Sequence, residues 1–341
     1  MNRPPAKKRA TLEDVARVAG VGPMTVSRTI NGHPYVTEKT AQRVHAAIRK
    51  LGYRPNQAAR MLTGQLSRSI GLIVPDIADT FFSVVSHAVQ DTARANGYLV
   101  WLAASDDDPS IEAAQVEMMT HHPVDGILLV PTDSRNSYLK AVAAGSTPVI
   151  TIDRPMETAI TDSVGVENRK GARMAVEHLI QHGYSKISAV TTNPHLLTIK
   201  ERIAGYKQSM RAAKLPCPAE LRLSKHTSAG PALEELFRSR NRPDALFTAN
   251  NASTIWVIEA LRTLGIEIAK DVALVGFDDV DFFTLITPPV TAVRQPAAEL
   301  GNVSARLLLQ RINGDLTTSS VRVVLPVTLT IRESCGCNRN G

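Results

Sequence analysis

The chain has 341 residues, 43% of them hydrophobic, which is more than one hydrophobic core usually supports, so two or three folded units are expected. It contains no apolar run of about 18 residues and no apolar segment behind its basic N-terminus, which argues against a membrane or exported protein and predicts a cytoplasmic one. Three cysteines cannot build a disulfide framework, in agreement with a reducing compartment.

The positive charge is concentrated near the N-terminus. Residues 1–69 carry 13 Lys and Arg against three acidic residues, whereas the remainder carries 26 against 29. A small basic module on a mildly acidic body is typical of proteins that bind the phosphate backbone of nucleic acids. The alternative, a solvated basic tail, fits residues 1–9 but not residues 11–55, which have helical periodicity.

Three short helices are predicted in this basic segment. Thr11 and Asp14 have the spacing of a capping box, Pro23 stands at a favoured first helical position, and Thr37 can cap a third helix. Gly20, the Asn31-Gly32 pair and Gly52 supply the stops. Three helices around one small core predict a helix-turn-helix unit, although a helical hairpin for protein contact is the alternative.

The second helix of such a unit presents its first residues to base edges in the major groove of DNA. Arg28 is the best candidate for a bidentate contact with guanine. We expect the reading surface to consist of Pro23, Met24, Thr25, Ser27 and Arg28. Side chains suited to phosphate or sugar contacts are Thr11, Thr25, Ser27, Asn31, Tyr53 and Asn56.

Residues 11–64 closely resemble the headpiece and hinge of the lactose-repressor (LacI/GalR) family of bacterial transcription regulators. The segments TVSR, LGYRPN and ARML carry the resemblance, which continues to about residue 333. The resemblance implies a regulator, in most cases a repressor, that binds a pseudo-palindromic operator as a homodimer under control of a small effector. Gly22 and Pro23 depart from the residues of many relatives, which leaves the operator sequence open.

Residues 56–63 have helix-forming composition, with Asn56 as a possible cap and Gly64 as a stop. They span only about two turns, which is marginal for an isolated helix in water. The resemblance implies a hinge helix that pairs with its copy in the minor groove, where Leu62 wedges between base steps and Asn56 and Ala59 also contact DNA. A plain linker is the alternative. We therefore expect a headpiece at 1–55, a hinge and linker at 56–68, and a body at 69–341.

In the body, short apolar runs such as SIGLIVP alternate with helical patterns near residues 80–96, 109–122 and 135–145, which predicts parallel, doubly wound α/β sheets. Two such blocks indicate two lobes. Resemblance to the periplasmic sugar-binding fold implies that the chain crosses between lobes near residues 162, 290 and 325. The first lobe is expected at about 69–162 plus 296–325, and the second at about 163–290 plus 326–335.

Ligands of open parallel sheets bind beyond the carboxyl ends of the strands, which for two facing lobes means the cleft between them. Aromatic faces there can stack on an apolar ring, while Arg, Asn and Asp can pair with hydroxyls. The resemblance implies this use for Phe81, Phe82, Arg202, Asn250 and Asp278. The full set of expected effector residues is Asp79, Phe81, Phe82, Asp153, Thr198, Arg202, Asn250 and Asp278.

Single residues of this set have an alternative role as helix caps or solvated loop residues, above all Asp79 and the nearby Asp76. The chemistry of the effector stays open between a sugar, a sugar acid and a less polar derivative. The resemblance shows two departures: Asn251 stands where relatives commonly have aspartate, and Leu196 and Leu197 stand where a polar contact is usual. These departures favour a less polar end, whereas Lys225 would suit an acid if it reached the cleft.

The common catalytic motifs are missing from the sequence, and a non-enzymatic protein without a cofactor is expected. A periplasmic-type ligand-binding protein is the alternative, but it would have no use for the basic headpiece. Cys335 and Cys337 lack a second pair of ligands in the sequence, so we expect free thiols on a loose tail and no metal site. The tail has no heptad repeat for a tetramer.

Overall fold

The computed structural model describes residues 10–30, 33–53, 66–121, 124–135, 145, 147–156, 161–224, 229–316 and 319–337. The chain divides between residues 67 and 68 into two compact units, the headpiece and the body. None of the described helices is long and apolar enough to cross a lipid bilayer.

The headpiece contains three helices, as the sequence predicts. Thr11 caps the first helix through a complete capping box with Asp14, and Gly20 ends that helix in the left-handed conformation, with a φ of 64°. Gly52 ends the third helix in the same way. The helices are α1 (Leu12–Ala19), α2 (Pro23–Ile30) and α3 (Glu38–Leu51).

A small apolar core holds these helices together. Val15, Val26 and Val44 contribute one fully buried side chain from each helix. Arg43 links α3 to the end of α1, because its guanidinium donates hydrogen bonds to the carbonyl oxygens of Ala19 and Gly20. The turn between α1 and α2 is therefore fixed from the side of α3, which orients α2.

The first lobe of the body is built on a six-stranded parallel sheet with the order β11-β5-β4-β3-β1-β2. All described residues of its central strands β3 and β4 are buried, as expected for a sheet covered on both faces. Its strands are β1 (Ser69–Val74), β2 (Leu99–Ala104), β3 (Gly126–Leu129), β4 (Val149–Ile152), β5 (Asp162–Val166) and β11 (Arg322–Leu325). Its described helices are α4 (Thr80–Ala95), α5 (Pro109–His121) and α10 (Ala297–Asn313).

The second lobe has a six-stranded sheet with the order β12-β10-β9-β8-β6-β7, in which only the pairing of β12 with β10 is antiparallel. Its strands are β6 (Ile187–Thr192), β7 (Leu221–Leu223), β8 (Ala245–Thr248), β9 (Ala273–Phe277), β10 (Thr291–Arg294) and β12 (Thr328–Thr330). Its helices are α6 (Asn168–Gln181), α7 (Leu197–Ala212), α8 (Ala229–Arg238) and α9 (Asn251–Thr263), and a short 3₁₀ helix spans Asp281–Thr284.

The first crossing between lobes lies a few residues later than predicted. Strand β5, which begins at Asp162, pairs with both β4 and β11 and so belongs to the first lobe. Both carboxylate oxygens of Asp162 accept hydrogen bonds from Arg311 of α10, at 2.7 and 2.8 Å. The second crossing likewise follows β10 rather than residue 290. The third, between β11 and β12, agrees with the prediction, and α10 returns to the first lobe as expected.

Most of the helix predicted near residues 135–145 lies outside the described residues. The predicted cap and stop of the hinge helix, Asn56 and Gly64, also lie outside them. The same is true of Lys225, so its suggested approach to the cleft stays a prediction.

Candidate functional site

The carboxyl ends of the strands of both lobes meet at one cleft, and several residues there have left-handed backbone. Asp153 follows β4 with a φ of 63°, and Asp278 follows β9 with a φ of 71°. Asp107 and Asn193, which follow β2 and β6, have φ values of 55° and 45°. Asp and Asn tolerate this conformation better than most residues, and such strain concentrates at functional sites.

All eight residues that the sequence predicts for the effector site line this single cavity, together with Asp76. The cavity volume is about 160 Å³, below the roughly 300–1,000 Å³ of pockets for drug-sized ligands. The lobes already touch across it, because Asn251 of the second lobe bonds Asp79 of the first and Asn193 bonds Asp107. The cleft, as we call this cavity, therefore has room for a small molecule.

Arg202 is the centre of the second-lobe wall. It is buried on α7 and donates hydrogen bonds to Asn168 Oδ1, to the carbonyl oxygen of Ala249 and to Asp278 Oδ2, at 2.8, 3.0 and 3.1 Å. Its guanidinium carbon lies 3.8 Å from the ring centre of Phe277. These contacts fix the guanidinium in place, as a binding site for a polar ligand requires.

Two predicted cleft residues also act as helix caps. Asp79 accepts a hydrogen bond from the backbone of Phe81 at the start of α4, and its other oxygen accepts from Asn251. Asn250 caps α9 in a capping box with Ser253, and its amide nitrogen donates to Thr192 Oγ1 at 2.7 Å. Both residues therefore cap a helix and also line the cleft. Asp76 lines the cleft too, but it is exposed.

Three buried polar atoms of the cleft have no hydrogen-bond partner among the described residues: Asp153 Oδ1, Arg154 Nε and Gln295 Oε1. Burial raises the pKa of Asp153 to about 6, against the lowering effect of Arg202 and Arg154. A buried polar group without a hydrogen bond destabilises the folded chain by about 1–3 kcal/mol. A ligand whose hydroxyl or amide groups bonded these atoms would therefore gain binding free energy there.

Aromatic side chains form the apolar part of the wall. Phe81 and Phe82 meet edge to face, with ring centres 5.1 Å apart, and Arg154 lies over the ring of Phe82. Trp256 of α9 lines the same cavity. A ligand ring with an apolar face can stack on such side chains while its edges reach the polar groups.

The headpiece presents the predicted reading residues on α2. Met24 is 66% exposed, Pro23 and Arg28 are exposed as well, and Thr25 and Ser27 are partly exposed.

Two of the residues predicted to contact the DNA phosphates or sugars have other roles in the headpiece. The hydroxyl of Thr11 belongs to the capping box of α1, and Tyr53 packs partly buried against the core. Asn31, Asn56, Ala59 and Leu62 lie outside the described residues.

Comparison with known proteins agrees with this two-part organisation. Residues 11–56 match the model of the lacI family of bacterial regulatory proteins, and residues 176–335 match the periplasmic binding protein-like domain. Catabolite control protein A of Priestia megaterium is 30% identical over 328 residues, covering 95% of this chain and 98% of that protein. The chain belongs to the LacI family. It is thus a helix-turn-helix transcription regulator with a periplasmic-binding-protein-like body.

Solved structures of LacI-family regulators show the same architecture. The lac repressor dimer bound to operator and the anti-inducer ONPF is 26% identical, with a TM-score of 0.85 over 96% of this chain and 99% of that one. The complex of the transcriptional regulator CelR with cellobiose is 30% identical, with a TM-score of 0.71 over 96% of this chain and all of that one. The predicted family and fold are therefore confirmed.

Sequence reasoning missed several cleft residues of this LacI-family chain. Asn193 directly follows β6, and Arg154 and Asp107 lie shortly after β4 and β2, so the same rule that found Asp153 and Asp278 would have found them. Asn251 was visible only as a departure from relatives, and Trp256 only as one of two tryptophans. No local signal points to Gln295, which reaches Asp278 Oδ1 only through the crossing of the chain between the lobes.

Proposed function

We propose that this regulator is a repressor that binds a pseudo-palindromic operator as a homodimer, and that a small neutral molecule rich in hydroxyl groups binds the cleft and controls operator affinity. The three unpartnered buried atoms of Asp153, Arg154 and Gln295 carry the effector part of this proposal. A hydroxyl group can donate a hydrogen bond to Asp153 Oδ1 or Gln295 Oε1 and can accept one from Arg154 Nε. The hydroxyl groups of a sugar ring can therefore satisfy all three atoms.

The charges of the cleft favour a neutral effector over a sugar acid. Its lining includes five carboxyl side chains but only two arginines, and both arginines are engaged, Arg202 with Asp278 and Arg154 with Asp107. An added carboxylate would meet the like charge of these carboxyl groups, and the charges of both described arginines are already balanced by aspartates. Leu196, buried at the wall, together with the aromatic side chains, suits the apolar face of one sugar ring.

The headpiece supports operator binding through charge and exposure. The basic residues of 1–69 supply sequence-independent affinity for phosphates, and the exposed start of α2 supplies base contacts. The role of the hinge residues Asn56, Ala59 and Leu62 rests on the sequence and its resemblance alone. Operator binding places the site of action in the cytoplasm.

Two exposed apolar patches of the body support a homodimer. The edge strand β2 exposes 70% of Leu99 and 56% of Trp101, and the second lobe exposes Phe282 and Leu285 of the segment around the 3₁₀ helix. An exposed apolar edge strand is an aggregation hazard unless a partner covers it. A second copy of the chain would cover both patches while it aligns two headpieces with the two half-sites.

A combined ligand and DNA experiment tests the proposal. An operator selected from random duplexes is titrated in a mobility-shift assay at two salt concentrations, and neutral sugars, polyols and sugar acids are screened by thermal shift. Affinity should fall by about 10³–10⁵ between 50 and 200 mM salt, with one palindrome favoured. A neutral sugar should raise the melting temperature and change operator affinity roughly 5–150-fold.

Asp278→Asn separates sugar binding from operator binding, because it keeps the shape of the side chain that bonds Arg202 but removes its charge. In this variant sugar binding should weaken and operator binding should persist. In Leu62→Ala operator binding should weaken and sugar binding should persist. A chain that binds every duplex equally, or that responds only to sugar acids, would contradict the proposal.

A further inference from the structure

The C-terminal cysteines are packed into the second lobe rather than loose, and a histidine lies against them. Ligand atoms of His178, Cys335 and Cys337 all lie within 4.8 Å of one another. Cys337 Sγ is 3.0 Å from His178 Nε2. Cys335 is fully buried, His178 is buried on α6, and Cys337 is partly exposed. We call these three residues the thiol cluster.

Specific contacts hold the tail in this place. Ser334 Oγ donates to the carbonyl oxygen of Leu274 in β9 and accepts from the backbone nitrogen of Thr291 in β10. Tyr184 donates its hydroxyl hydrogen to the carbonyl oxygen of Cys335, at 2.9 Å. The expectation of a loose tail is therefore wrong for residues 334–337, since groups of the second lobe bond Ser334 and Cys335 in place of water.

The backbone and the surroundings at position 336 favour glycine. Gly336 has a φ of 70°, and a Cβ atom there would lie 2.5 Å from the Tyr184 hydroxyl oxygen. This left-handed turn folds the chain so that both sulfur atoms approach His178. The tight Cys-Gly-Cys turn and the imidazole on a packed helix together form a preorganised set of soft ligands.

We propose that the thiol cluster is a binding site for Zn²⁺, with Cys335 Sγ, Cys337 Sγ and His178 Nε2 as ligands. Two sulfurs and one imidazole are typical zinc ligands, and a three-residue set leaves the fourth tetrahedral position to water. The partly exposed Cys337 gives that position access to solvent. Binding forms two Zn–S bonds and one Zn–N bond and releases the protons that the two thiols carry.

The cation would connect the tail to α6, the helix that also supports the cleft. His178 lies in the last turn of α6, and Asn168 at its start accepts the hydrogen bond from Arg202 Nε. A metal ion that binds only the folded chain stabilises it by mass action. Zinc should therefore raise the melting temperature of the body, independently of any effector.

Metal titration of the full chain tests the site. The metal-free chain, reduced with a phosphine, is titrated with Zn²⁺ against a chelating dye, and with Co²⁺ as a spectroscopic probe. We expect one metal ion per chain, a thiolate-to-cobalt charge-transfer band, the strong visible bands of tetrahedral cobalt, and a higher melting temperature with Zn²⁺.

Variants distinguish this site from chance binding. Cys337→Ser and His178→Gln should each weaken zinc binding by at least the roughly 10–100-fold that loss of a supporting contact costs at metal sites. Circular dichroism verifies that each variant folds. Cys217→Ser, which removes the exposed thiol elsewhere in the second lobe, should leave zinc binding unchanged.

Several results would overturn the proposal. These are fewer than one Zn²⁺ per chain, a cobalt spectrum without thiolate charge transfer, equal affinity in folded Cys337→Ser and His178→Gln, or loss of binding in Cys217→Ser. A bond between Cys335 and Cys337 that persists in the phosphine-treated chain would also overturn it, because an oxidised pair offers no thiolate.

Discussion

Asn251 of the second lobe donates a hydrogen bond from Nδ2 to Oδ2 of Asp79 in the first lobe, at 3.0 Å, and so joins the two walls of the cleft directly. An aspartate at the position of Asn251 would instead set a second carboxylate against Asp79. Burial already raises the pKa of Asp79, and Asp278 raises it further, while the bond from Asn251 lowers it. The amide therefore favours the closed cleft of this chain.

Asn251→Asp should open the cleft. At neutral pH the substitution replaces a donor by a second carboxylate about 3 Å from Asp79, and like charges at that distance repel strongly. We expect a larger radius of gyration in small-angle X-ray scattering and weaker sugar binding. Asn251→Ala, which loses about 1 kcal/mol of hydrogen bond without adding charge, is the control and should open the cleft less. Equal effects of the two variants would contradict the role of charge.

Arg202→Met should destabilise the body. Methionine keeps the apolar contact with Phe277, but it leaves the buried carboxylate of Asp278 without its counter-charge. Loss of one partner of a buried pair costs about 3–5 kcal/mol. Urea unfolding measures the change. Arg94→Met, at an exposed ion pair with Asp91, is the matched control and should cost less than about 1 kcal/mol.

The pH dependence of stability should report Asp153. Its pKa is raised in the folded chain to about 6, so between the ordinary value of 3.8 and about 6 the folded chain holds a proton that the unfolded chain has released. The free energy of unfolding must then fall as pH rises through this window. At about 1.4 kcal/mol per pKa unit, the loss is about 3 kcal/mol.

Asp153→Asn removes this titration, so its free energy of unfolding should lack the decline that the parent chain shows across the window. Chemical unfolding at a series of pH values gives both curves. Asp76→Asn changes an exposed carboxylate of the same cleft but keeps Asp153, and this control should still show the decline. A parent profile that rises with pH between about 4 and 6, relative to Asp153→Asn, would show that the pKa is not raised.

The sequence predicted the fold well where local chemistry decides it. The capping box of Thr11 and Asp14 and the buried strand SIGLIV were readable because each depends on neighbours in the chain. The eight predicted cleft residues meet because parallel strands end at a common edge. The crossing near residue 162 was misplaced because β5 is recognisable only through its pairing with β11, far along the chain.

What the sequence could not provide depends on contacts between distant segments. His178 and Cys337 are 159 residues apart in the sequence, so the cysteine pair looked incomplete as a ligand set. Gln295 has no feature of its own that marks it for the cleft. The bond between Asn251 and Asp79 depends on how the lobes meet, which composition and periodicity do not report.

Arg28→Ala should reduce discrimination between operators more than affinity for DNA in general. Arg28 is exposed in the last turn of α2, and a bidentate contact with guanine contributes about 1–3 kcal/mol. We expect roughly a ten- to hundredfold loss on the selected operator and little change on random duplexes. Arg49→Ala, at an exposed cation of α3, should instead weaken both alike. A uniform loss for Arg28→Ala would assign that residue to phosphate contact.

Trp101→Glu should convert the regulator to a monomer. Among the described strands β2 pairs only with β1, and it exposes Leu99, Trp101 and Leu102. A charge at this edge would oppose burial against a second copy. Sedimentation velocity should show the monomer, and operator affinity should fall because each headpiece would read its half-site alone.

Ile331→Glu provides the matched control, because Ile331 is as exposed as Trp101, at 56%, but lies beyond the last strand of the second lobe. It should leave both the dimer and operator affinity unchanged. If Trp101→Glu stayed dimeric while Leu285→Glu, at the apolar patch of the second lobe, became monomeric, the contact between copies would belong to the second lobe, and β2 would need another partner to cover its apolar edge.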